Sequence, residues 1–409
     1  MSTVWYRGLR LIDGTGAPPV DRTTIGVVDG RIVSVGGDVP PDAEVRDLGG
    51  ATVLPGLVNA DEYLTIKGVS SYYYDIYRQS SHFQLLRAAR NALYSLAQGI
   101  TAVRDVGAIG RVNVVLRDAI DLGVVVGPRI YTCGSPIAPA YDTPGAREPG
   151  MTVEAANAVE VAGRVDELLA ERVDFIMIKV DRRDFTANDR RWFSIEEMRP
   201  GVRAAIAAGL PVGGTAPSPA AMRDAVEAGV RSFGSGRSIV EDPELPGFLA
   251  AHEVTIVPNL AAWHRNSRWL TPERRAQHVE GIRRCLEAGV TLAAGTTLYG
   301  DNLVDEILEL RAIGMTAMES LQAATIAGAR LLGREADFGT VEVGKRADLV
   351  VVAGDPLADP ENLRDVLLTI RDGIEYHPAA LREAIGREVE APVEQRSAAT
   401  AFVQNGRTG

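Results

Sequence analysis

Apolar and polar residues alternate in two different ways along the chain. Residues 3–55 carry short apolar runs interrupted by Gly, Asp-Gly and Gly-Gly, a pattern that predicts β-hairpins. From about residue 57 onwards, apolar runs of strand length alternate with longer segments of helical period. This second pattern is typical of parallel strands that are each followed by a helix.

The alternation predicts eight strands with helices between them. We expect strands near 57–63, 100–106, 129–134, 173–180, 210–215, 230–234, 254–259 and 290–296. We expect helices near 82–98, 111–121, 153–171, 194–208, 219–228, 244–252 and 272–288, with more helix at 303–332. Such an array is close to the ~250 residues that a (β/α)8 barrel usually takes. An open doubly wound sheet is the alternative, but no GxGxxG motif opens the first helix.

Strand character returns after the barrel, in GTVEVGKRADLVVVAGDP (339–356). The predicted fold class is therefore α/β: a (β/α)8 TIM barrel over residues 56–338 with a small composite β-sandwich. Residues 1–55 and 339–373 would form this sandwich from both chain ends. Residues 374–409 are expected to be a tail, with a short helix at 379–389 and a mobile end.

Composition and charge limit the class of protein and the kinds of partner that we expect. The chain is 46% hydrophobic and 24% charged, which excludes disorder as its dominant state. No run approaches the ~20 apolar residues of a membrane span, and no secretory signal pattern opens the sequence, so we expect a cytoplasmic protein. A net charge of −11 argues against nucleic acid as a partner. A small molecule is the expected partner, and assembly into a homo-oligomer stays open.

Several stretches carry recognisable motifs: ATVLPGLVNADEYL (51–64), GITAVRDVG (99–107), GPRIYTCGSPI (127–137), AGVRSFGSG (228–236), GVTLAAGTT (289–297), MTAMESLQAATIAGARLLG (315–333) and GTVEVGKRADLVVVAGDPL (339–357). In their order and spacing, up to about residue 373, they resemble the amidohydrolase superfamily, in particular its imidazolonepropionase and Xaa-Pro dipeptidase-like branch. The resemblance implies a barrel that carries a metal centre, together with a sandwich formed from both chain ends.

The same resemblance shows that the family's metal ligands are missing. The family has a His-x-His pair on the first strand, a carboxylated lysine on the fourth, histidines on the fifth and sixth, and an aspartate on the eighth. The matching positions here are Asp61, Tyr63, Met177, Thr215, Ser235 and Thr297. Zinc requires thiolate, imidazole or carboxylate donors, and neither Cys133 nor Cys285 belongs to a zinc-type cluster. We therefore expect no metal and no other cofactor.

Three side chains are candidates for acid–base chemistry at the barrel mouth. Asp61 is either a general acid or base, or a carboxylate that pairs with an arginine and fills the former metal cavity. Tyr63 shares its face and either donates a proton or plugs the cavity. Lys179 lies two residues beyond Met177, on the same face of its strand. It is either a site amine or a partner in a buried ion pair.

Further candidates carry weaker signals. His264, in PNLAAWHRNSRW, lies near the end of a strand and is a candidate for titration near pH 7, or a solvated loop histidine. Asp105, in AVRDVG, is either a catalytic residue or a structural one, and the structural interpretation is favoured. Tyr73 and Tyr74, in the run SYYYDIY (71–77), are expected to line the substrate pocket or to form a packed lid. The remaining pocket-floor candidates, expected to bind substrate or to pack, are Met177, Thr215, Ser235 and Thr297.

These residues lead to one hypothesis and two alternatives. The leading hypothesis is a metal-independent enzyme that uses acid and base residues in the former metal cavity on a small organic molecule. Cyclisation, isomerisation and elimination need oriented acids and bases but no metal-bound water, and biosynthesis of a specialised metabolite is a suitable setting. The first alternative is a non-catalytic relative, either a small-molecule binder or a partner subunit. The second is a C–N bond hydrolase with an unorthodox metal site.

Overall fold

The structure is a computed structural model of the 409-residue chain. It describes residues 3–66, 79–140, 151–180, 193–216, 218–265, 271–297 and 302–386.

Both ends of the chain build one antiparallel-rich sheet, as the return of strand character predicted. Its N-terminal strands are β1 (Thr3–Leu11), β2 (Val20–Val28), β3 (Arg31–Val35), β4 (Glu44–Asp47) and β5 (Thr52–Pro55). Its C-terminal strands β16 (Leu349–Val352), β17 (Val366–Arg371) and β18 (Ile374–Tyr376) join it through β16, which pairs antiparallel with β5. The order is β18-β17-β16-β5-β1-β2-β3, and β4 pairs with β1. Buried residues of both ends, among them Tyr6, Ile25 and Ile370, share one core.

The barrel strands lie where the alternation of apolar runs predicts them. They are β6 (Leu57–Glu62), β7 (Ile100–Asp105), β8 (Arg129–Thr132), β11 (Ile176–Lys179), β12 (Val212–Thr215), β13 (Ser232–Gly234), β14 (Thr255–Val257) and β15 (Thr291–Leu292). Two short strands, β9 (Ile137–Pro139) and β10 (Val153–Ala155), extend the sheet beside β11. Backbone hydrogen bonds close the ring on both sides, from the Asp174 amide to the Thr132 carbonyl (2.8 Å) and from Ala60 to Ala294 (2.9 Å).

Helices surround the barrel strands. They are α1 (Ser81–Ala97), α2 (Val112–Asp121), α3 (Ala158–Ala170), α4 (Ile195–Ala207), α5 (Pro219–Ala228), α6 (Leu245–Ala251), α7 (Leu260–Arg265), α8 (Pro272–Glu287), α9 (Leu303–Ala312), α10 (Ala317–Ala323), α11 (Ile326–Leu331) and α12 (Pro378–Ile385). In the part of the chain that the structure describes, no helix is long and apolar enough to cross a membrane.

Two helical expectations need correction. The helix expected at 153–171 begins only at Ala158, because β10 pairs with β9 and the Asn157 side chain then accepts hydrogen bonds from the first helical amides. The helix expected at 303–332 is three helices, since Thr316 forms a capping box that starts α10 after Gly314. The tail helix is α12, and residues 387–409 lie outside the described residues.

Alternate residues of the barrel strands face opposite sides. Ile176 and Ile178 of β11 pack in the large cluster that includes the surrounding helices, whereas Met177 packs in a second cluster inside the barrel. Ile326 and Ala329 of α11 belong to this inner cluster as well. The fold is thus the expected (β/α)8 barrel with a composite β-sandwich, and the boundaries at residues 55, 338 and 373 stay predictions.

Candidate functional site

Asp61 lies inside the barrel, near the carboxyl end of β6. The register between β6 and β7 shifts between Asn59 and Glu62, where β6 carries one extra residue, so the strand bulges just before its end. The Asp61 residue is 5% exposed. Its Oδ2 accepts a hydrogen bond of 3.0 Å from Nδ2 of Asn259, whereas its buried Oδ1 meets no donor among the described residues.

Burial dominates the protonation of Asp61. Removal from water raises its pKa from 3.8 to about 6, against the lowering effects of the Asn259 hydrogen bond, the Arg104 charge and the Thr297 hydrogen bond. The charge of Glu62 adds a smaller upward contribution. Both protonation states of this carboxyl are therefore populated near neutral pH, which a general acid or base requires.

Two glycines make room for the Asp61–Asn259 pair. A Cβ atom on Gly234 would lie 2.8 Å from Oδ2 of Asp61, and one on Gly295 would lie 2.7 Å from Oδ1 of Asn259. Real Cβ atoms essentially never approach so closely. The missing side chains at the end of β13 and just after β15 thus leave room for this carboxyl–amide pair.

Arg104 supplies a buried positive charge that acts on Asp61, and it was not among the candidates from the sequence. The residue is 4% exposed, and its guanidinium lies 4.1 Å from the ring centroid of Phe175. Nη1 donates to the Ala60 carbonyl at 3.3 Å, and Nη2 lies 3.9 Å from Sδ of Met177. An arginine inside the apolar strand ITAVRD is the signal that would have found it.

Tyr63 and Met177 lie in the inner cluster with Phe175. Lys179 is the last residue of β11, pairs in register with Thr215 of β12 and is partly buried. The strand alternation that puts Met177 inside puts Lys179 on the same face, as the sequence analysis expected. Met177, Lys179 and Thr215 thus come from the neighbouring strands β11 and β12, whereas Tyr63 directly follows β6. The roles of all four residues stay predictions.

Thr297 lies beside Asp61, whereas the Ser235 hydroxyl is engaged by another residue. The Thr297 amide donates to the Asp61 carbonyl at 2.7 Å. The Ser235 hydroxyl accepts a hydrogen bond of 2.9 Å from Nε1 of Trp263. Both residues have a positive φ, 46° for Thr297 and 72° for Ser235, which is a strained conformation for these residue types. The ends of these strands are therefore held in unusual geometry around the site.

Asp105 holds two loops together. Its carboxylate accepts hydrogen bonds from the backbone amides of Leu64 (3.0 Å) and Gly107 (3.1 Å) and from Nδ2 of Asn113 (2.9 Å). Burial raises its pKa to about 7 against these three donors. The contacts support the structural interpretation of Asp105, and a catalytic role stays a prediction.

His264 belongs to a cluster on the helices outside the strands. Its Nδ1 lies 3.1 Å from Oε1 of Glu309 on α9, and its ring centroid lies 6.3 Å from that of His278 on α8. His278 donates through Nε2 to the Ser235 carbonyl at 2.6 Å, and burial lowers the pKa of His278 to about 3. The cluster thus contacts the end of β13 through the Ser235 backbone. A catalytic role for His264 stays a prediction.

Tyr73 and Tyr74 lie outside the described residues.

The donor set does not fit a transition-metal centre of the family type. Among the residues that the structure describes, no group of three or more His, Cys, Asp and Glu side chains could hold a metal ion. Asp61 is the one carboxylate at the matched positions, and the Ser235 hydroxyl is already bound to Trp263. The fixed positive charge of Arg104 lies against Met177, where the family has its carboxylated lysine. In this cavity, the charges of Asp61 and Arg104 therefore balance each other, and the remaining side chains are poor ligands for a divalent metal ion.

Comparisons with known proteins agree with the fold. The chain is 26% identical to an imidazolonepropionase of Thermoplasma acidophilum over 349 residues, 79% of this chain and 81% of that one. It is 39% identical to a 5-methylthioadenosine/S-adenosylhomocysteine deaminase of Moorella thermoacetica over only 90 residues, 19% of this chain and 21% of that one. A crystal structure of a Xaa-Pro dipeptidase with bound methionine superimposes with a TM-score of 0.82 and 27% identity, covering 92% and 100% of the two chains. The sequence model of the amidohydrolase family matches residues 52–374, and the chain belongs to that family.

Proposed function

We propose that this chain is a metal-independent enzyme that converts a small organic molecule by proton transfer in the cavity where relatives carry a metal centre. The observation that carries the proposal is Asp61, a buried carboxyl at the carboxyl end of a barrel strand with a pKa raised to about 6. Active sites of such barrels lie at this end. A carboxyl with this pKa both accepts and returns protons near neutral pH.

The arrangement favours reactions without net uptake of water. Asp61 takes a proton from one position of the substrate and returns it to another, which gives isomerisation, or protonates a leaving group, which gives elimination. In a cyclisation, it removes the proton of an attacking group as that group bonds to an electron-poor carbon of the same molecule. It then returns the proton to the oxygen or leaving group that receives the displaced electron pair. Tyr63 and Lys179 are the proposed hydrogen-bond donors to an oxygen that gains negative charge, and Thr215, Ser235 and Thr297 are proposed to line the pocket.

Arg104 is proposed to balance the charge that forms when Asp61 loses its proton. Its charge lowers the pKa of Asp61, and the Asp61 charge in turn raises the pKa of Arg104 against the lowering effect of burial. Because the guanidinium is fixed by Phe175 and the Ala60 carbonyl, this balance needs no reorganisation during a reaction.

Metal-dependent hydrolysis is the second candidate, and the names of the relatives favour it. Those names include a deaminase and a Xaa-Pro dipeptidase. In that case, the metal would need ligands other than those at the matched positions. A non-catalytic binder is the third candidate, favoured by the Trp263 hydrogen bond that occupies the Ser235 hydroxyl.

Activity screening with matched variants separates these candidates. The wild-type protein, Asp61→Asn and Lys179→Ala are incubated with a panel of small organic molecules in chelator-treated buffer, and products are identified by mass spectrometry. Asp47→Asn, which removes an exposed carboxylate of the sandwich, is the control. The proposal predicts turnover in chelator that both site variants lose and the control keeps. Turnover in both site variants that equals that of the wild-type protein, or turnover that appears only with added metal, contradicts it.

A further inference from the structure

The residue that orients Asp61 is Asn259, in the turn that follows β14. Asn259 is fully buried, and its backbone adopts the left-handed conformation, with φ at 56°. Its Nδ2 donates to Oδ2 of Asp61 at 3.0 Å and to the Val257 carbonyl at 3.3 Å. Asparagine tolerates the left-handed region better than most residues but still at some cost. Something outside the turn must therefore hold it in place.

Glu306 makes the contacts that hold this turn. It lies on α9, is fully buried, and accepts a hydrogen bond of 2.8 Å at Oε2 from the Ala261 amide. The backbone amides of Leu260 and Asn259 also act on this carboxylate and lower its pKa. The three amides lie at the start of the short helix α7, where amides have no partners within the helix. Glu306 thus caps the helix from a separate element, some 45 residues further along the chain.

This placement is costly for a carboxyl group. Burial raises the pKa of Glu306 to about 8, although the three amides oppose that rise. The other oxygen, Oε1, is buried and meets no donor among the described residues. The charged residues near it in the described part of the chain pair with one another: Asp305 with Arg265 and Arg364, and Glu309 with His264. The amides of the turn are therefore the partners that keep Glu306 buried.

We propose that Glu306 is a positioning residue that holds Asn259 in the conformation in which its amide donates to Asp61. The proposal rests on the proposed function and deepens it, since it assigns a residue that supports the Asn259 hydrogen bond to the acid–base residue. The charges of Arg104 and Glu62 and the Thr297 hydrogen bond also act on Asp61. The double variant described below therefore separates an effect of Glu306 that passes through Asn259 from one that does not.

The test measures the titration of Asp61 directly. The full chain is labelled with ¹³C at aspartate carboxyls, the Asp61 signal is assigned with Asp61→Asn, and its midpoint is followed from acid to alkaline pH. The compared proteins are Asn259→Ala, Glu306→Ala, the double variant, Glu306→Gln and the control Glu309→Gln. Glu309 lies on the same helix and contacts His264 rather than the turn.

Loss of the Asn259 hydrogen bond removes a donor to the ionised carboxylate. We expect the Asp61 midpoint to rise by roughly one pH unit in Asn259→Ala. A hydrogen bond to a charged group contributes about 1.5 kcal/mol or more, and one pKa unit corresponds to about 1.4 kcal/mol. Glu306→Ala should give the same rise, and the double variant no further rise. Glu306→Gln keeps one acceptor oxygen, so its Asp61 midpoint should rise less than that of Glu306→Ala. Glu309→Gln should leave the midpoint unchanged.

An unchanged midpoint in folded Glu306→Ala, or a double variant whose rise is the sum of the two single rises, overturns the proposal. If circular dichroism shows that Glu306→Ala is unfolded, Glu306→Gln decides the question. A rise of its Asp61 midpoint that is smaller than the rise in Asn259→Ala supports the proposal, and an unchanged midpoint overturns it. Because the midpoint is read without a substrate, its outcome is independent of whether Asp61→Asn abolishes turnover.

Discussion

Replacing Asp61 with asparagine is expected to stabilise the fold above pH 6. The pKa of Asp61 is raised from 3.8 to about 6 by burial, so the folded state binds more protons than the unfolded state between these values. The stability that the carboxyl contributes is therefore fully present below pH 3.8 and is lost as the pH rises through about 6. An asparagine does not ionise, and its amide oxygen still accepts from Asn259.

The size of the effect follows from the shift. A difference of roughly two pKa units corresponds to about 3 kcal/mol as an upper limit, since each unit is worth about 1.4 kcal/mol. For a chain of this length, that free energy raises Tm by on the order of 3 °C. This behaviour is typical of functional residues, whose chemistry costs stability.

Thermal unfolding of both proteins from pH 4 to pH 8 measures the effect. We expect near-equal stability at pH 4 and a growing advantage of Asp61→Asn towards pH 8. Asp47→Asn is the control of opposite sign, because the Gly49 amide and the Arg7 side chain lower the pKa of exposed Asp47, so its removal should cost stability at neutral pH. If Asp61→Asn shows no pH-dependent gain, the buried carboxyl is not penalised and the acid–base argument loses its basis.

Two further predictions test the surroundings of the site. Gly295→Ala should destabilise by about 1–3 kcal/mol in urea unfolding, since its Cβ would overlap Asn259. Gly247→Ala, in α6 with nothing within 4 Å, should stabilise by about 0.5–1 kcal/mol, and equal effects would refute the overlap. His278→Gln should move acid unfolding to lower pH, because burial lowers the pKa of His278 from 6.5 to about 3 and its contribution is lost as the pH falls through that range. An unchanged acid midpoint by circular dichroism would contradict this.

The barrel was predictable because its signal is repeated. Each repeat consists of an apolar run of strand length and a segment of helical period. A wrong prediction for one repeat therefore does not change the prediction for the others. The boundaries were harder where short-range chemistry decides them. Val153–Ala155 is a strand because it pairs with β9, a partner that no local pattern reveals.

The site was predictable only in part. Asp61 and Met177 emerged because they occupy the positions of missing ligands in strands with strong motifs. Asn259 and Glu306 did not, because their importance rests on contacts between elements: Asn259 meets Asp61 across 198 residues of sequence, and Glu306 meets Ala261 across 45. Hydrogen bonds of this kind leave no periodic pattern in one sequence.

Metal content of the purified protein tests the central claim most directly. Elemental analysis before and after dialysis against a chelator is combined with Tm measured at each stage. The account predicts no stoichiometric zinc, iron or manganese and the same Tm after chelation, because Asp61 is the one carboxylate among residues that match the family's ligands. A full equivalent of tightly held transition metal, with a Tm that falls by several degrees when the metal is removed, would contradict it.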